Sequence, residues 1–275
     1  MSDAKTIAGL PHTAVDSYER DGFLFPVEAF DAQEGAAWAR EIAALPTPEL
    51  AAHSAPWVQK AYLLLPSLDA LMRDPRLTGP VASILGDDIL VLSADLFIKP
   101  PHTHKRITWH QDVNYWGLEP MQVLTAWVAF TLATPENGCM HYSRGGHRAR
   151  LRHIEHKTDD NMLTRGQEIA VEIDESTVVD VRLRPGQVSF HDGLTPHASG
   201  ANDTDATRIG FAVRYAPTRV KQTSGPPITA RLVRGSDSFG HFELEGGPYR
   251  ALSDEALAAH QRALAPHAAY AYSTI

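Results

Sequence analysis

The chain has 275 residues, of which 43% are hydrophobic and 21% charged, an ordinary globular balance that allows a sizeable core. A formal charge of −8 with no long basic run argues against a nucleic-acid partner, because phosphate binding needs a basic face. Cys139 is the only cysteine, so an intramolecular disulfide framework and a thiolate zinc cluster are both excluded. No apolar segment approaches the ~18 residues of a membrane span. Residues 1–22 lack the basic-then-apolar order of a secretory leader, and the expectation is a soluble, cytoplasmic protein.

Taken in order, Thr13 to Gly22 predicts a short helix stopped by the glycine, and Phe23 to Val27 a short strand. Asp31 is placed to cap an alanine-rich helix from Ala32 to Leu45, which Pro46 ends. Two more helices are expected at Ser67 to Arg73 and Pro75 to Leu85, the second closed by Gly86. This first part, residues 1–88, carries no chemical motif and reads as a helical scaffold wrapping a sheet.

The texture changes at Ile89. Strands are expected at Ile89 to Leu92, Leu96 to Ile98, Ile107 to Val113, Val123 to Leu132 and Gly138 to Ser143. Arg148 to Gly166 is polar and reads as a long excursion over a site mouth. Strands resume at Glu168 to Ile173, Thr177 to Leu183, Gln187 to Phe190 and Arg208 to Tyr215. Short strands at hairpin spacing, without strand–helix alternation, give a mainly β jelly roll or barrel over residues 89–217. Residues 218–275 form a C-terminal extension with a short helix at Asp254 to Ala263, and the whole chain reads as one domain.

Three stretches have the form His-x-Asp/Glu: His110/Asp112, His153/Glu155 and His241/Glu243. On an extended strand, side chains two apart point the same way, so such a pair can converge on one ion. His241 lacks a strand pattern, and the 153/155 pair lies in the polar excursion, only 44 residues before His197. His110 and Asp112 follow an apolar strand, sit among Trp109, Tyr115 and Trp116, and precede His197 by enough chain for the intervening strands. Two histidines and one carboxylate with open positions describe the facial triad of a non-haem Fe(II) oxygenase. His102 and His104, beside Pro100 and Pro101, read as surface.

Several runs together resemble the phytanoyl-CoA dioxygenase family: Trp109-His110-Gln111-Asp112, Thr125-Ala126-Trp127, Glu136-Asn137-Gly138-Cys139-Met140, Gly145-Gly146-His147, Pro185-Gly186-Gln187-Val188, and His197 to Asn202 followed by Arg208. The resemblance covers about Ile89 to Pro217 and implies a double-stranded β-helix that uses Fe(II), 2-oxoglutarate and O₂. Carried over by position, it implies His110, Asp112 and His197 as iron ligands, and hence the catalytic centre. It also implies Arg208 as partner of the distal carboxylate of 2-oxoglutarate, Ser199 as its helper, and Trp127 and Gln111 as lining of the cosubstrate pocket. Arg144-Gly145-Gly146-His147 departs from the more usual Pro-Gly-Ser-His, a difference that bears on the substrate rather than the chemistry.

Arg208 suits the cosubstrate because a planar guanidinium grips a carboxylate through two parallel hydrogen bonds. Arg214 shares its parity and is left for substrate or structure, with Asn114, Tyr115 and Trp116 as further candidates for substrate contact. Halogenases of this architecture lack the carboxylate ligand, so Asp112 favours hydroxylation, and the expected substrate is a small, polar or charged metabolite. Desaturation, cyclisation or epimerisation at the same site, or a non-catalytic cupin-like binding protein, are the alternative readings. Oligomeric state is not readable from the sequence.

Overall fold

The computed structural model describes residues 9–53, 56–156, 158–163 and 166–272, the side chains of His53, Tyr115 and residues 267–272 apart. Among the described residues six helices form: α1 (His12–Asp21), α2 (Ala32–Ala43), α3 (Thr47–His53), α4 (Pro66–Arg73), α5 (Pro75–Leu85) and α6 (Asp254–Tyr272). Helix α1 ends at Gly22, whose φ of 86° is the left-handed value a glycine adopts without strain. Helix α2 starts with a reciprocal cap. Asp31 accepts from the Gln33 and Glu34 amides at 2.8 and 2.9 Å, and Glu34 accepts from the Asp31 amide at 3.0 Å. Asp74 caps α5 through the Arg76 amide, with Pro75 in the first turn. No described helix is long and apolar enough to cross a membrane.

The strands are β1 (Phe23–Glu28), β2 (Ile89–Lys99), β3 (Ile107–His110), β4 (Leu118–Glu119) and β5 (Leu124–Ala129). They continue as β6 (Met140–Ser143), β7 (His153–Glu155), β8 (Gln167–Ile169), β9 (Val178–Val181) and β10 (Gln187–Asp192). The last are β11 (His197–Ser199), β12 (Arg208–Pro217), β13 (Lys221–Gln222), β14 (Thr229–Arg234) and β15 (Glu243–Leu244). A seven-stranded sheet runs β1-β10-β5-β12-β2-β14-β15 and faces a four-stranded sheet, β3-β11-β6-β9. The chain is a double-stranded β-helix, the jelly roll.

Alternation along the large sheet decides where the site lies. On β12, Ile209, Phe211, Val213 and Tyr215 join the core shared with the N-terminal helices, alongside Leu124, Ala126 and Val128 of β5. The opposite parity, Arg208, Gly210, Ala212 and Arg214 on β12 with Thr125 and Trp127 on β5, faces the small sheet. Both faces are covered, which is why every residue of β12 is buried. Covering Phe211 and Tyr215 completely contributes ~2 kcal/mol each before entropy is charged against it.

Four expectations need amendment. Residues 1–88 do more than cover a sheet, because β1 pairs with β10 as an edge strand. The extension likewise adds β14, antiparallel to β2. The excursion from Arg148 to Gly166 contains β7, paired with β8, and Thr108 Oγ1 ties that hairpin to β3 by donating to the Gln167 carbonyl at 2.6 Å. The strand expected to run to Val113 ends at His110; after extended Gln111 the chain turns into a 3₁₀ turn at Asp112–Tyr115.

Candidate metal and cosubstrate site

His110 and His197 are direct cross-strand partners in the β3–β11 ladder, so their rings lie side by side with centroids 4.0 Å apart. Each Nδ1 lies within hydrogen-bond reach of a backbone carbonyl two residues earlier, Thr108 O at 2.9 Å and Thr195 O at 3.0 Å. Donation there fixes the tautomer and leaves each Nε2 as a bare lone pair. Extended Gln111 brings Asp112 round to the same side, with Oδ1 3.9 Å from His110 Nε2. One ligand atom from each of the three lies within 4.8 Å of the others, and all three residues are buried.

The electrostatics suit a cation. Burial, reinforced by the neighbouring imidazole, pushes His110 down to about 3, and burial with the His191 ring pushes His197 down to about 4. Both rings are therefore neutral ligands at ordinary pH. Burial alone would raise Asp112, but the Arg214 guanidinium together with the His191 and His197 imidazoles outweighs it and holds the carboxyl well below the usual range. Two neutral imidazoles and one carboxylate are the donor set a ferrous or similar divalent ion takes. The residues fit the group.

The same cavity holds a second feature. Arg208 is 1% exposed, and its guanidinium donates to the Gly138 carbonyl at 2.8 Å. Its Nε has no partner, and no carboxylate pairs with it among the described residues. Its Cζ lies 5.3 Å from the Trp127 ring centroid. Ser199 Oγ donates to the same Gly138 carbonyl at 2.8 Å and accepts from Lys99 Nζ at 2.7 Å. Lys99 also donates to the Ser199 and Gly200 carbonyls. Arg208 lines this end of the cavity, with Lys99 at the in-register position of β2 behind Ser199, so a buried guanidinium makes it a receptacle for an anion.

The remaining sequence candidates are placed elsewhere. Gln111 points away from the cavity, as alternation requires for the residue between two ligands. Its amide donates to the Ala149 and Leu194 carbonyls at 2.8 and 2.6 Å and accepts from the Leu151 amide at 2.9 Å, so it ties loops and does not line the cosubstrate pocket. Asn114 turns to Arg150, accepting at 2.7 Å, and is not part of the cavity wall. Trp116 lies behind Arg214, its ring centroid 5.8 Å from the guanidinium. The Tyr115 side chain lies outside the described residues.

Arg214 is on the cavity wall but engaged, 2.5 Å from Asp95 Oδ2 and 3.4 Å from Asp112 Oδ2. Of the rival pairs, His153 accepts from the Gln111 amide through Nε2 at 3.0 Å, and His241 is exposed. Sequence reasoning missed Lys99, Thr125, His191 and Asp95. All four are polar positions of core strands on the inward parity, a signal readable only once the facing sheet is known.

Fold and donor set together define a jelly-roll metalloprotein of the oxygenase type. The family model of phytanoyl-CoA dioxygenase (PhyH) matches residues 18–210. Ectoine dioxygenase of Bordetella bronchiseptica is 26% identical over 250 residues, covering 82% of this chain and 80% of that protein. Among solved structures, the apo form of the non-haem monooxygenase ThoJ superposes with a TM-score of 0.78 at 35% identity, over 95% of this chain and 98% of that one. The ThoJ–Ni complex superposes at 0.79 and 32%, over 95% and 100%. The chain belongs to the phytanoyl-CoA dioxygenase family, a family of Fe(II)- and 2-oxoglutarate-dependent oxygenases.

Proposed function

We propose that the protein hydroxylates an unactivated C–H bond of a small polar metabolite, using Fe(II), O₂ and 2-oxoglutarate and releasing succinate and CO₂. The observation that carries this reading is the arrangement of Arg208 relative to the triad: a buried guanidinium, with no carboxylate partner among the described residues, lines the same cavity as His110, Asp112 and His197. A dicarboxylic 2-oxo acid satisfies both features, one end at the metal and the other at the arginine.

When bound, the iron supplies the activation of dioxygen that is coupled to decarboxylation of the 2-oxo acid. The chain's own part is positional. His110 and His197 would hold the ion through their neutral Nε2 atoms, and Asp112 would supply the single negative ligand. Arg208 binds the distal carboxylate, with the Ser199 hydroxyl beside it. Trp127, Phe97 and Met140 wall the cavity with apolar surface that keeps water from the reacting atoms. Cytoplasmic residence belongs to the same proposal, supported by the lone, buried Cys139.

The test is anaerobic reconstitution with Fe(II) followed by oxygen uptake and succinate release across a panel of small metabolites. Substrate-stimulated succinate with a hydroxylated product supports the reading. Failure of the Fe(II)-loaded protein to bind 2-oxoglutarate ends it, and a product bearing a new double bond, ring or inverted centre moves the outcome to another branch of the family.

A further inference from the structure

The large sheet carries a row of three polar side chains that neither the ligand set nor the cosubstrate pocket uses. His191 on β10 pairs in register with Thr125 on β5, and Thr125 pairs in register with Arg214 on β12. All three face inward and meet one atom. Thr125 Oγ1 donates to Asp112 Oδ2 at 2.9 Å, Arg214 Nε lies 3.4 Å from that oxygen, and His191 Nε2 lies 3.6 Å from it. The other oxygen, Oδ1, is the one turned toward His110.

Each member of the row is itself fixed. His191 Nδ1 is 2.8 Å from the Tyr142 hydroxyl, which also meets Ser189 Oγ at 2.9 Å. Arg214 is gripped by Asp95, which accepts besides from the Lys60 amide at 3.0 Å and the Ser93 hydroxyl at 2.8 Å. His191 Nε2 and Arg214 Nε are buried and complete no hydrogen bond among the described residues, and Asp112 Oδ2 is the negative oxygen each of them faces. Swinging the carboxylate to present both oxygens to a cation would break the Thr125 hydrogen bond and take the negative oxygen away from the buried Arg214 and His191 nitrogens that face it, so the row favours the one-oxygen orientation.

We infer that Thr125, His191 and Arg214 are positioning residues that hold Asp112 as a one-oxygen metal ligand, and that Asp95 anchors Arg214 for that purpose. The inference rests on the reading of His110, Asp112 and His197 as the metal ligands. It assigns Arg214 to the metal centre's support rather than to substrate. Asp95 has a second consequence: its charge offsets that of Arg214, so the arginine steers Asp112 without cancelling the negative charge the metal needs.

The test uses the full-length protein and Co(II), titrated without oxygen and followed by calorimetry and by the visible ligand-field spectrum, with thermal melting in parallel. Thr125→Val, which keeps shape and removes the donor, and Arg214→Gln are each expected to weaken Co(II) binding on the order of tenfold to a hundredfold and to alter the spectrum. Arg214→Lys should recover part of the loss. The double variant Asp95→Asn/Arg214→Gln, which removes both buried charges, should melt close to wild type yet stay weak for Co(II).

Co(II) affinity and spectrum within twofold of wild type in both single variants would overturn the inference while leaving the metal reading intact. Full recovery of Co(II) affinity in the double variant would also overturn it, making Arg214 a prop of the fold alone. Should Arg214→Gln fail to fold, the isosteric Thr125→Val decides. Wild type that binds no Co(II), or binds it equally after His110→Ala, removes the metal reading itself and this inference with it.

Discussion

Gly210 on β12 lies flat against the Trp127 indole of β5, so close that a Cβ placed on it would fall 1.9 Å from Cζ2. The absence of a side chain lets the indole lie across the strand and meet Arg208 two residues away. Gly210→Ala should therefore cost ~1–3 kcal/mol in unfolding free energy through overpacking. It should also raise KM for 2-oxoglutarate, because the ring must shift away from the arginine. Urea unfolding and steady-state kinetics check both. Unchanged values in each would mean that the indole has room to move.

Part of this architecture was legible in the sequence. Helix starts and stops were legible because Asp31, Gly22, Pro75 and Gly86 act locally, through caps and backbone conformations that need no partner. The triad was legible because its histidines and carboxylate stand in short, unusual stretches.

The contacts of Gln111 were not legible, since the acceptors and donor that claim its amide come from residues 149, 151 and 194. The strands β14 and β11 were not legible either. The first is polar at its outer end, and the second is three residues long and defined by its neighbours on both sides. Arg214 is the sharpest case: parity put it beside Arg208, and only the Asp95 and Asp112 contacts separate their roles.

Asp112→Ala should abolish hydroxylation and reduce metal content after loading to that of a histidine-only site. Glu155→Ala should load normally, because Glu155 is exposed on β7 and its strand mate His153 already accepts from the Gln111 amide. Metal per chain, measured after gel filtration, distinguishes the two. Loss of metal from the Glu155 variant would show that the ion sits at the other histidine pair.

Arg208→Ala should raise KM for 2-oxoglutarate about ten- to a hundredfold, the size of one lost charge-assisted contact pair, with a smaller fall in kcat. Arg208→Lys keeps the charge but not the planar fork, so it should fall between. Burial already lowers the Arg208 pKa to about 10, a sign of how strongly this position favours an anion beside it. A wild-type KM in Arg208→Ala would exclude the arginine from cosubstrate binding, and Arg214 could not replace it while paired with two carboxylates.

Lys99 offers a test by pH. Burial and the adjacent Arg208 push its ammonium down to about 7, against roughly 10.4 for a lysine in an unfolded chain. Below the folded value both states hold the proton and the folded state bears the cost of a buried charge. Between the two values the unfolded chain binds a proton that the folded protein does not, so stability must rise with pH across that window. Lys99→Met has no such group. The unfolding free energy of wild type minus that of the variant should therefore increase between about pH 6.5 and about pH 9, whatever the constant offset from the lost contacts to Ser199 and Gly200. A flat difference would mean that those oxygen acceptors keep the ammonium charged, leaving a permanent positive charge behind Ser199 beside Arg208.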